Sequence, residues 1–216
     1  MHKRQVVIAT SAAAAALVAG CAALAPAPNY EALTAEMMKA SFRDQGIAKV
    51  ERLVQDPSNA ECSKAAGAEL PEPKAKTIEA ANLATVKLPS DGKFIGDWKE
   101  GEKLAQNGRG MTWTDASASN NGGNCYNCHQ ISKAEISFGT IGPSLYNYGK
   151  IRGVTDPASP ASKAIVEYTW GKLYNAKAYN ACSTMPRFGH AGMLDETQLK
   201  NVMALLLDPK SPVNSQ

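Results

Sequence analysis

The sequence predicts an all-α protein, on three observations. Strand signals are scarce along its whole length. The closing stretch carries apolar residues at helical spacing, Leu199, Val202, Met203 and Leu206, opened by Asp195 and Gln198 and stopped by Asp208-Pro209. An earlier stretch starts at Asp97, which can cap a helix with Glu100 three residues on, and Gly101, Leu104 and Ala105 form its inner edge. Gly101, with no Cβ, would let another helix cross at close range.

The elements follow in order. Residues 1–25 read as an export signal, with a short basic start (His2, Lys3, Arg4) and an apolar run from Val6 to Gly20. That run is short and Ala-rich for a membrane span. Leu17-Val18-Ala19-Gly20-Cys21 resembles a lipoprotein box, which would leave Cys21 acylated. The alternative is ordinary cleavage after Ala23-Leu24-Ala25, and both readings stand. Residues 26–90 read as a helical extension and linker. Met37, Met38, Ser41 and Phe42 share one face, expected as a packing face, and Gly46 interrupts it. Ile47, Val50, Leu53 and Val54 then resume helical spacing until Asp56-Pro57 stops it. Residues 63–90, rich in Ala, Glu, Lys and Pro, are expected as an extended surface linker. The main domain spans 91–216. Within it 115–124 is a polar loop, and Ser159-Pro160 begins a helix with Ala164, Ile165, Tyr168 and Thr169 on one side.

The chemistry centres on Cys125-Tyr126-Asn127-Cys128-His129. Cys-x-x-Cys-His is the attachment signature of a c-type haem. Two cysteines a turn apart can bond the two vinyl groups, and His129 can then take the proximal iron position. A thioredoxin-like pair would want a βαβ context, which the flanking Gly122-Gly123 and Gly142-Pro143 do not offer. A zinc site would need two more ligands at a recognisable spacing. The distal ligand is expected to be Met185, with Met111, Met193 and His190 as rivals. A His/Met pair suits electron transfer more than oxygen chemistry. The Pro143 carbonyl would accept the His129 Nδ1–H and so make Nε2 the better donor; the alternative is an ordinary Gly-Pro turn. Arg187 is placed to pair with a propionate, or to stand exposed. A helix before the haem motif and another after the distal Met, crossing each other, is the layout of a class I cytochrome c.

Composition narrows the classes. The net charge of +3 falls to +1 once Lys3 and Arg4 leave with the leader, and no basic patch marks a nucleic-acid partner. Aromatic content is only 6%, low for a core this size, so a porphyrin would supply apolar area that side chains otherwise would. The remaining cysteines of an exported chain, Cys62 and Cys182, are expected as a disulfide joining the extension to the distal loop. No cluster of Arg or Lys surrounds either in sequence, so neither is expected to be an activated thiol.

Four blocks together carry a family resemblance. They are Cys125 to Gln130, Gly139-Thr140-Ile141-Gly142-Pro143-Ser144-Leu145, Met185-Pro186-Arg187-Phe188-Gly189, and the closing Leu207-Asp208-Pro209 with Ser211-Pro212-Val213-Asn214. From about residue 85 to the C-terminus the chain resembles the SoxX family, the monohaem cytochrome subunit of the SoxAX complex of bacterial thiosulfate oxidation. The resemblance implies one covalent haem c on Cys125 and Cys128, ligated by His129 and Met185. It also implies a heterodimer with a SoxA-type cytochrome, where the sulfur bond forms, and contact with the SoxYZ carrier through the complex. Electrons would leave to a soluble cytochrome c from the periplasm, with a membrane involved only if Cys21 is acylated. The lipobox and the long extension depart from the usual family pattern. The haem chemistry alone equally fits a free-standing electron shuttle, and an open sixth position would make it a ligand sensor.

Overall fold

The computed structural model describes residues 28–116 and 121–215; the export signal and Cys21 lie outside them. Among the described residues the fold is all-α, with six α-helices, short 3-10 turns and no strand beyond one isolated bridge between Gln45 and Ala48. The chain divides into two compact units, 1–43 and 44–216. The first holds helix α1 (Tyr30–Ser41), capped by Asn29, whose Oδ1 accepts the Ala32 N–H at 3.0 Å. Met37, Met38 and Phe42, read in sequence as one packing face, lie on this helix and at its C-cap.

The second unit starts with a glycine-dependent turn at Gly46 (φ +50°), where a Cβ would collide with the Trp113 carbonyl. The expected helix over 47–54 is reduced to one 3-10 turn, Val50–Leu53. Asp56-Pro57, expected to stop that helix, instead starts the next. Asp56 Oδ1 accepts the Asn59 N–H at 2.9 Å and Pro57 occupies the first position of α2 (Pro57–Lys64). The expected linker likewise contains a helix, α3 (Glu72–Leu83), because Ala and Lys are strong helix formers and Pro71 and Pro73 sit at its start. Its Ile78 and Asn82 are buried. Asn82 meets Asn175 of the main domain, whose Nδ2 donates to Asn82 Oδ1 at 3.0 Å and to Thr85 Oγ1 at 2.9 Å. Asn175 is wholly buried, so these bonds satisfy a group that would be costly to leave unpaired.

The core lies between α4 (Trp98–Gln106), α5 (Lys163–Tyr174) and α6 (Glu196–Leu207). A Cβ on Gly101 would overlap the Asn201 carbonyl, which is how closely α4 crosses α6. The crossing is fastened by Gly96 N–H to Lys200 O and Asp97 N–H to Asn201 Oδ1, each 2.9 Å. The expected cap of α6 forms as a reciprocal box between Asp195 and Gln198. On α5 the inward face carries Val166, Thr169, Trp170 and Leu173, whereas Ala164 and Tyr168 face water. Trp170 sets this orientation: its Nε1–H reaches Lys87 O at 2.8 Å and Phe94 stands edge-on at 5.5 Å. The tail is held by buried Asn214, whose Oδ1 accepts the N–H groups of Gly149 and Lys150 while Nδ2 donates to Leu206 O and Asp208 O.

Candidate functional site

Two backbone bonds seat the Cys-x-x-Cys-His turn at the end of α4. Gly123 N–H reaches Leu104 O at 2.8 Å and Asn124 N–H reaches Asn107 O at 3.0 Å. Asn124 adopts a left-handed conformation (φ 49°), which Asn tolerates better than most residues. A 3-10 turn over Cys125–Asn127 follows, and His129 N–H closes back on Cys125 O at 2.9 Å. Cys125 and Cys128 are both free thiols. The Cys125 sulfur is enclosed although the residue as a whole is half-buried, and burial pushes its pKa up to about 12. Such a thiol is a poor nucleophile at neutral pH, unlike the attacking cysteine of a dithiol oxidoreductase.

The segment 139–145 runs alongside the turn. Gly139 N–H bonds Tyr126 O, Gly142 N–H bonds Cys128 O, and Leu145 N–H bonds Gln130 O, at 2.7, 2.8 and 2.7 Å. This alignment brings Pro143 O to 2.7 Å from His129 Nδ1. A carbonyl can only accept, so Nδ1 carries a proton, and the tautomer this favours is the one with the lone pair on Nε2. The ring lies against Gly142, where a Cβ would overlap Cε1, Nδ1 and Nε2 alike. Among the described residues no three His, Cys, Asp or Glu side chains converge as a metal-binding group. Two free thiols and an imidazole whose Nδ1 is engaged are the donor types that a haem c would take.

Met185 is half-buried and packs against the core cluster, as does Met193. Phe188, three residues on, is 4% exposed. A Cβ on Gly123 would lie 3.0 Å from Cys125 Sγ and 3.9 Å from Phe188 Cε1, so the Phe188 ring stands beside Gly123 at the entrance to the turn. Of the rivals, Met111 presents its carbonyl to Arg52 Nη1 at 2.9 Å, and His190 is exposed with its N–H on Tyr174 O. Arg187 forms an ion pair with Asp56 at the cap of α2. Burial alone would raise the Asp56 pKa, but the Asn59 N–H and the Arg187 guanidinium hold it below the usual 3.8. The expected Cys62–Cys182 disulfide is present, with Cα atoms 5.5 Å apart. It joins α2 to the segment leading into Met185.

The surroundings of that disulfide correct one expectation. Lys177 is 4% exposed, and its Nζ lies 3.0 Å from Ala181 O and 3.9 Å from Cys62 Sγ. Burial lowers its pKa, the nearby Arg187 charge lowers it further, and Asp56 opposes both. A cation therefore stands beside Cys62, placed there by folding across 115 residues. No local pattern marks it in sequence, nor the Asp56–Arg187 pair, because Asp56-Pro57 reads there only as a helix stop.

No family model matches the chain. Over 132 residues it is 38% identical to a protein of Aquifex aeolicus (strain VF5) described as an uncharacterized lipoprotein. The match takes in 61% of this chain and 59% of that protein's length. Among the described residues no helix is long and apolar enough to cross a membrane.

Proposed function

We propose that the chain is a monohaem cytochrome of class I type, related to the SoxX family. It would accept and relay electrons released when thiosulfate is oxidatively coupled to a cysteine of a SoxYZ-type carrier. The observation that carries this reading is the His129–Pro143 contact, with the ring laid on Gly142, directly after two free cysteines. Cys125 and Cys128 would hold haem c, with His129 Nε2 and the Met185 sulfur as axial donors. A haem so ligated supplies one-electron chemistry at a raised potential. The chain's own residues do the positioning. Pro143 O keeps the proton on Nδ1, and the backbone bonds of 139–145 fix the loop under the ring. The Asp56–Arg187 pair and the disulfide hold the chain on either side of Met185. No side chain is cast as acid, base or nucleophile; bond formation belongs to a SoxA-type partner.

The likeness to a lipoprotein supports the lipobox reading of Cys21, and with it an exported protein held at a membrane surface. The test is to mix the purified, oxidised protein with thiosulfate and the carrier, with and without the haem-bearing partner that co-purifies with it. Carrier conjugation and reduction of this chain are expected only with the partner. Conjugation at full rate without it would move catalysis onto this chain. Absence of any co-purifying partner would favour the free-standing shuttle.

A further inference from the structure

We propose that the Cys62–Cys182 disulfide is a thiol–disulfide exchange site for dithiol reductants, with Cys182 as the sulfur attacked and Cys62 as the leaving thiolate. The bond lies in the wall of a cavity of about 580 Å³, lined also by Asn59, Lys177, Thr184 and Arg187. Both cysteines are half-buried rather than sealed in the core. Lys177 separates their chemistry. Its ammonium is 3.9 Å from Cys62 Sγ, almost wholly out of water, and among the described residues no carboxylate forms an ion pair with it. Asp56, the nearest acid acting on it, is already paired with Arg187. A buried cation without a counterion is costly, and a thiolate at Cys62 would supply one.

The exchange needs no other oxidant. A thiolate of the dithiol bonds to Cys182 Sγ as the Cys62–Cys182 bond breaks, and the electron pair leaves on Cys62 Sγ beside Lys177. The second thiol of the reductant then attacks the mixed disulfide and releases Cys182. The reductant ends as a disulfide, and its two protons finish on the two cysteines. A leaving thiolate of lower pKa departs faster, which is why the charge beside Cys62 fixes the direction of attack. This holds whether or not the chain carries a haem.

The test uses the full exported chain. Brief exposure to glutathione, acid quenching and peptide mass spectrometry should find glutathione on Cys182 and a free thiol at Cys62. Glutathione on Cys62, or evenly on both, overturns the proposal. Reduction by dithiothreitol should slow roughly tenfold in Lys177→Met and stay near the wild-type rate in Lys177→Arg. An unchanged rate in folded Lys177→Met also overturns it. Should Lys177→Met not fold, the site of glutathione attachment in the wild-type protein decides alone.

Discussion

Gly142→Ala is the sharpest perturbation of the candidate site, because it adds one methyl group where the His129 ring lies. Gly142 is not among the glycines with positive φ, so alanine is tolerated by the backbone and any cost comes from the ring. A Cβ there overlaps three ring atoms at once, so the imidazole must move and its 2.7 Å bond to Pro143 O must lengthen or break. Overpacking of this kind costs about 1–3 kcal/mol, and the lost hydrogen bond about 1 kcal/mol more. For a chain of this size the sum lowers Tm by roughly 5–15 °C. Gly153→Ala is the comparator: it has open space around its Cβ but φ +72°, so it should cost only about 1–2 kcal/mol of backbone strain. Thermal melts of both variants, followed by circular dichroism, give the comparison, with the absorption spectrum of the haem-loaded protein as a second readout. A Gly142→Ala protein that melts with the wild type and keeps an unaltered spectrum would refute the placement of His129 against this loop.

Three further outcomes follow from the same geometry. Met185→Ala should retain attached haem while losing the Met–iron band at the red end of the spectrum and lowering the potential; a surviving band would make Met111 or Met193 the ligand. Asp56 has a depressed pKa, so its contribution is complete above the ordinary value of 3.8 and is lost as pH falls through the folded one. Asp56→Asn should therefore be less stable than wild type at pH 7, by about 1 kcal/mol, with the gap closing on acidification in urea melts. Asn214→Ala orphans the buried Gly149 N–H and Leu206 O, and should cost about 3–5 kcal/mol by urea denaturation.

Local signals in this sequence were readable and non-local ones were not. Asp195 with Gln198, Gly101 at the crossing, and Pro143 fourteen residues after His129 each announce themselves through spacing or the lack of a side chain. Asp56-Pro57 misleads because the same dipeptide serves to end one helix and to cap and begin another. Helix α3 escapes a search for apolar periodicity because only Ile78 and Asn82 of its twelve residues are buried. On α5 the spacing predicted a helix, but the indole of Trp170 and its bond to Lys87 chose which face turned inward. Lys177 beside Cys62, and Arg187 on Asp56, depend on how α2 meets the segment after α5, which no pattern within either segment specifies.

The most direct measurement is the mass of the purified protein under denaturing conditions, after export from a host that attaches haem c. The polypeptide should carry the mass of one haem, confined to the peptide containing Cys125 and Cys128, and neither cysteine should react with an alkylating reagent. A bare polypeptide mass, with Cys125 and Cys128 both alkylated, would contradict the assignment of this chain as a c-type cytochrome.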